Sequence, residues 1–246
     1  MPLSSASVGT CTESFVHDVD ARWLMAYAAG LNDLNPRYMD TTAGAVCAHP
    51  LFPVCLEWPA ILASRSPSEA DGPTPEEAAR GVHAAHDLTL HRPIRAGDRL
   101  QTTATVVAVQ QIKPGAAQTL RLDTVDLNSG ELVAQTYQLS ISRGVEVIGG
   151  DRTTEAVPGW PTTPGTAAGD AEAHSISVSA GAAHIYTECA RIWNPIHTDR
   201  AVALNAGLPG IILHGTATLA LAVSRMVNEY AGAQPRRVRR IGGRFV

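Results

Sequence analysis

Hydrophobic and polar positions change rhythm several times along this chain, and each rhythm predicts a different element. Arg22 to Gly30 carries apolar residues at helical spacing and stops at a glycine, a common helix terminator. Leu51 to Ala63 reads as a second, buried helix, although Pro59 interrupts it. The period then falls to two over His86–His91, Leu100–Gln110, Thr119–Leu127 and Leu132–Ser142. Turn sequences separate these strands: Arg95-Ala96-Gly97-Asp98, Lys113-Pro114-Gly115 and Asn128-Ser129-Gly130. Helices followed by an antiparallel meander predict an α+β layer.

The order then begins again. Ser175–Val178 reads as a strand and Ala182–Arg191 as a helix. Asp199 can cap a short helix through Ala206, with Gly207 as its stop. Thr216 to Tyr230 reads as a long apolar helix capped by Thr216, and Val238 to Val246 begins a strand. Gly144 to Asp170 is rich in glycine and proline and reads as a linker. The expected division is therefore 1–143, a linker over 144–173, and 174–246. Ser64 to Glu77 reads as a solvated loop.

Composition narrows the function classes. At 45% hydrophobic and 17% charged residues, the chain can build a real core. A formal charge of −4 argues against general binding to nucleic acid or to a membrane surface. Arg236-Arg237-Val238-Arg239-Arg240 fits the solvent face of an edge strand, with a phosphate clamp as the alternative reading. The four cysteines show no Cys-x-x-Cys spacing, so neither a metal site nor a disulfide framework is expected. Free thiols, no basic-then-apolar leader and no long apolar run together predict a cytoplasmic protein.

The two halves share a phrase. Asp33-Leu34-Asn35-Pro36-Arg37-Tyr38 in the first matches Ile192-Trp193-Asn194-Pro195-Ile196-His197 in the second. Tyr27 and Tyr186 each lie six residues before the phrase begins. Two Asn-Pro pairs at matching places in two similar halves point to duplication.

These residues carry a resemblance. Asn194-Pro195-Ile196-His197, Ala206-Gly207 and Ile212-Leu213-His214-Gly215 resemble the signature of the MaoC-like, type 2 enoyl-CoA hydratases. The segments Phe52-Pro53 and Leu90-His91-Arg92-Pro93 through Gly97-Asp98 resemble that family's first half. The resemblance implies a double hotdog that reversibly hydrates a 2-enoyl thioester to its 3-hydroxyacyl form. It implies no cofactor beyond coenzyme A carried by the substrate, an acyl-CoA or acyl-carrier thioester, and it allows a homodimer. By the family pattern the second hotdog is expected to be incomplete after Phe245-Val246.

The resemblance also assigns residues. His197 matches the family histidine, and its imidazole suits acid–base work near neutrality. Asn194 is expected to orient His197 or the thioester arm, and equally to make an Asx turn around Pro195. Gly215 opens the long helix, so its N–H can face a developing oxyanion, or its lack of a side chain can serve packing. Trp193 and His214 are expected beside the pocket. The departure is Ile192, which fills the family's catalytic aspartate position and cannot move a proton; Arg191 stands where glycine is usual. Three readings follow. Asp33 supplies the carboxylate across the pseudo-twofold axis, Glu188 supplies it from one turn earlier, or hydration is lost. Asp33 is favoured. The alternatives are a catalytically silent acyl-thioester binder or partner subunit, and a thioesterase or carrier-protein dehydratase.

Overall fold

The computed structural model describes residues 3–65, 81–159 and 173–245. Most of the loop expected over Ser64–Glu77, and part of the expected linker, lie outside the described residues.

The first half builds as its pattern dictates. Helix α1 (Ala21–Gly30) is capped by Asp20, whose side chain accepts from the Trp23 N–H at 2.7 Å. Helix α2 (Pro36–Met39) is one turn long and starts on the Asn35–Pro36 pair. Helix α3 (Pro53–Ser64) keeps Pro59 inside it. That proline cannot donate to the carbonyl four residues back, yet apolar burial of Val54, Leu56, Ala60 and Ile61 holds the helix together.

Four long strands follow: β3 (Gly81–Leu90), β4 (Arg99–Ile112), β5 (Gly115–Asp126) and β6 (Leu132–Arg143). With β1 (Leu3–Ser4) and β2 (Phe15–Asp18) before them, and β9 (Arg240–Arg244) at the far end of the chain, the main sheet runs β2-β4-β5-β6-β3-β9. Its pairs are antiparallel. Helix α3 lies on the inner face, where Ala60 and Ile61 meet Ala104, Val106, Leu120 and Leu122.

The second half contributes α4 (Ala182–Ala190), α5 (Arg200–Asn205) and α6 (Gly215–Glu229). The two halves share one core. Leu24, Tyr27, Phe52 and Leu88 from the first belong to the same buried cluster as Tyr186, Ile192, Ala217 and Ile241 from the second. Two helices from different halves pack tightly where α1 meets α4. A Cβ on Gly30 would lie 2.9 Å from Cys189 Cβ, and the Trp23 indole N–H donates to the Cys189 carbonyl at 3.1 Å.

Several expectations need correction. The linker region carries β7 (Val147–Ile148), which pairs with β1, and β8 (Arg152–Thr153), which pairs with β4. Tyr137 donates to Glu155, and Arg121 forms an ion pair with it, so this stretch packs onto the first half. Ser175–Val178 forms no strand among the described residues. Thr216 is not a cap: α6 starts at Gly215, and Thr216 Oγ1 accepts from the Tyr186 hydroxyl at 3.2 Å. The last strand does not begin a separate sheet. It extends the first one, Ile241 opposite Leu88 and Arg240 opposite Thr89. Within the arginine cluster, Arg240 grips Asp87 through Nε at 2.8 Å and Nη2 at 2.5 Å, and Arg239 donates to the His91 carbonyl. Both arginines therefore join the halves of the chain. All four cysteines are free thiols. Among the described residues no helix is long and apolar enough to cross a membrane.

Candidate active site

The second-half phrase folds through local capping. Asn194 Oδ1 accepts from the Ile196 N–H, and Pro195 opens a single 3-10 turn ending at His197. Before it, α4 ends on Arg191 in the left-handed region, with φ 57°. This explains why glycine suits that position. The Arg191 guanidinium lies 3.9 Å from the centre of the Trp23 ring, a cation–π contact that holds the strained residue.

His197 is buried, with 8% exposure. Its Nδ1 lies 2.8 Å from the Ile212 carbonyl oxygen. A carbonyl only accepts, so Nδ1 carries the proton and Nε2 keeps its lone pair. Burial lowers the imidazole pKa, and the bond to Ile212 partly offsets this. His197 is therefore neutral at pH 7 and can act as a base.

Its ring stacks on His214 with centroids 3.6 Å apart. His214 is fully enclosed. Its Nε2 faces the Ile192 carbonyl at 3.4 Å and Thr187 Oγ1 at 3.2 Å, while Nδ1 has no partner among the described residues. Burial first, and the adjacent His197 second, push its pKa down to about 3. A second cation against His197 is thus strongly disfavoured, and the pair stays neutral. His214 is also the residue before Gly215, so the stack ties His197 to the start of α6. The first N–H groups of a helix lack intrahelical acceptors and face outward with positive potential. A Cβ at Gly215 would sit 3.2 Å from the Phe245 ring, so glycine also allows that ring to close on the helix start.

Other predicted residues fall elsewhere. Trp193 is 58% exposed and its indole N–H reaches Glu188 at 3.5 Å, so its ring lies at the surface beside that carboxylate. Ile192 is buried in the shared core. Asp199 caps α5, accepting from Ala201 and Val202.

Asp33 lies on the far side of a pseudo-twofold axis. A chain of ring contacts crosses the molecule: Tyr38 to His49 at 5.6 Å, His49 to Tyr27 at 5.7 Å, and Tyr27 to Tyr186 at 5.7 Å. It continues from Tyr186 to His214 at 4.9 Å and ends at the His214–His197 stack. The Tyr27 and Tyr186 hydroxyls meet at 3.2 Å near the axis. Tyr38 therefore stands where His197 stands, and His49 where His214 stands. Asp33 accepts from the Asn35 N–H and from Asn228 Nδ2, at the opposite end from His197. The structure does not bring the two together. Sequence reasoning missed His49; its signal was Ala48-His49-Pro50 standing at the place of Leu213-His214-Gly215.

The comparisons match this geometry. Residues 6–136 match the FAS1-like dehydratase domain region, and residues 165–246 match the MaoC like domain. The chain is 27% identical over 249 residues to 3-hydroxyacyl-thioester dehydratase Y of Mycobacterium tuberculosis, covering 100% of this chain and 83% of that protein. It is 24% identical over 170 residues to peroxisomal enoyl-CoA hydratase 2 of Arabidopsis thaliana, covering 67% of this chain and 55% of that one. Among solved structures, a MaoC-like dehydratase from Phytophthora capsici superposes with a TM-score of 0.78 at 20% identity, over 97% of this chain and 81% of that one. HtdX of Mycobacterium tuberculosis gives 0.66 at 18%, over 95% and 82%. Two repeats around a pseudo-twofold axis, the Asn-Pro-Ile-His turn and these matches place the chain in the MaoC-like, FAS1-related family of hotdog dehydratases.

Proposed function

We propose that the protein is a hydro-lyase that adds water reversibly to a 2-enoyl thioester, giving a 3-hydroxyacyl thioester, with His197 as acid and base. The observation that carries this reading is the free Nε2 of His197, fixed by the 2.8 Å bond from Nδ1 to Ile212. In catalytic triads a carboxylate often holds the imidazole; here a backbone carbonyl takes that part. One base is enough for the reaction. Nε2 takes a proton from water as the oxygen bonds to C3. The C2–C3 π electrons shift toward the thioester oxygen, which the Gly215 N–H stabilises as it becomes enolate-like. Nε2–H then returns its proton to C2. The elements of water are added and nothing is oxidised. Names of relatives such as enoyl-CoA hydratase 2 support the reaction class, and an acyl-CoA or carrier-bound thioester is the substrate.

The test is the ultraviolet absorbance of the conjugated enoyl thioester mixed with the protein. Loss of absorbance without release of free thiol is expected. Thiol release points instead to hydrolysis. A buried Ile192 in place of an acid favours one second reading, an acyl-thioester binder without turnover. Tight binding with unchanged absorbance selects that reading.

A further inference from the structure

The two halves place different residues at the same turn. Pro50 and Leu51 follow His49 in the first, and Gly215 and Thr216 follow His214 in the second. Proline has no N–H and leucine no hydroxyl. The Leu51 N–H is already taken by His49 Nδ1 at 3.1 Å. The first-half turn therefore has no donor to offer a ligand at either position. The second-half turn, beside the base His197, has both a glycine N–H and a hydroxyl.

The Thr216 hydroxyl is oriented from behind. Tyr186 donates to its Oγ1 at 3.2 Å, and the Tyr27 hydroxyl lies 3.2 Å from that of Tyr186. Burial raises the Tyr186 pKa above its ordinary value, so the phenol keeps its proton and remains the donor. Thr216 thus spends a lone pair on Tyr186 and keeps its own hydrogen, which has no acceptor among the described residues. In the first half the matching tyrosine, Tyr27, reaches a backbone carbonyl instead, that of Leu51 at 3.4 Å. Thr216 is half-buried and belongs to the same ring cluster as the base: the Tyr186 ring packs on His214 at 4.9 Å, and His214 stacks on His197.

Gly215 and Thr216 are adjacent, with Cα atoms about 3.8 Å apart, so one oxygen can lie about 2.9 Å from both donors. A hydroxyl that already accepts a hydrogen bond is polarised and donates more strongly. We propose that the Thr216 hydroxyl is a second donor to the thioester oxygen, beside the Gly215 N–H, and that Tyr186 is the positioning residue that aims it. This rests on the hydration reading above and adds a residue to it. Thr216 gives a hydrogen bond and no proton: its O–H bond stays intact while the π electrons move onto the thioester oxygen.

The test compares Thr216→Val with Thr216→Ser by two readouts. In kcat/KM for a 2-enoyl-CoA, Thr216→Val is expected to lose about 10²-fold, mostly in kcat, and Thr216→Ser to stay within about threefold of wild type. The second readout is the absorbance of 4-dimethylaminocinnamoyl-CoA bound to His197→Gln, where turnover is expected to be slow. Hydrogen bonds on the thioester oxygen draw electrons along that conjugated chain, so binding is expected to shift its maximum to the red. Adding Thr216→Val is expected to remove about half of the shift, and adding Thr216→Ser to keep it. A threonine that only packs moves neither the shift nor kcat. Should Thr216→Val fail to fold, Tyr186→Phe carries the test, with about a tenfold loss in kcat and a smaller red shift expected. Full turnover or an unchanged shift in folded Thr216→Val overturns this proposal and leaves the hydration reading standing. Absence of wild-type turnover overturns the hydration reading, and the shift then decides by itself whether Thr216 meets the thioester oxygen.

Discussion

Acid is predicted to destabilise this fold through His214, and the size of the effect follows from its surroundings. The side chain is 2% exposed and its folded pKa is pushed down to about 3, against 6.5 in an open chain. Below about pH 6.5 the unfolded chain takes up a proton that the folded protein refuses until about pH 3. Stability from the neutral ring is thus complete above 6.5 and is lost as pH falls toward 3. Each pH unit in that window costs about 1.4 kcal/mol, or about 2 kcal/mol at pH 5. His49, lowered to about 4 by burial, acts in the same direction between 6.5 and 4. Glu57 acts oppositely. Burial raises it to about 7, so its contribution is complete below 4.5 and is lost as pH rises through 7. A difference between proteins cancels these shared contributions. Urea unfolding at pH 7 and pH 5 is compared for wild type and His214→Gln. Wild type is expected to lose about 2 kcal/mol more than the variant between the two values. Equal losses refute the buried neutral histidine.

Three further outcomes are expected. Gly30→Ala forces a Cβ to 2.9 Å from Cys189 and is expected to cost about 1–3 kcal/mol by thermal unfolding. Tyr186→Phe leaves the Thr216 and Tyr27 hydroxyls short of a partner, and a loss of about 1–3 kcal/mol is expected in urea. Arg240→Met strips the paired guanidinium from Asp87, whose side chain is 8% exposed; a loss of about 3 kcal/mol is expected in urea unfolding at pH 7.

The parts of the fold legible in the sequence are those fixed by near neighbours. Alternation gave β3 to β6, because one sheet face packs on α3 while the other meets water. Asn35 and Asn194 announced their turns because the Asx cap and the proline lie within three residues. Contacts between the halves were not legible. Nothing local to Ile241 says that it will lie opposite Leu88, and nothing in a glycine-rich stretch says that Val147 pairs with Leu3. The same limit applied at the site. Asp33 holds the motif position of Ile192 and Tyr38 that of His197, but the pseudo-twofold axis sends the two motif copies to opposite ends of the ring chain. Trp193 looked close to the pocket in sequence, yet the left-handed Arg191 ends α4 just before it, and its ring lies exposed beside Glu188.

On the proposed mechanism His197, held by a carbonyl and with no carboxylate partner among the described residues, performs the hydration. The most direct measurement is kcat/KM for a 2-enoyl-CoA with wild type, His197→Gln, Asp33→Asn and Glu188→Gln. His197→Gln is expected to lose about 10²–10⁴-fold, and the two carboxylate variants to stay within about threefold of wild type. Wild-type activity should also fall below pH 6.5 as the imidazole protonates, in keeping with its lowered pKa. A His197→Gln variant that retains full activity, or an Asp33→Asn variant that loses as much as His197→Gln, contradicts the account.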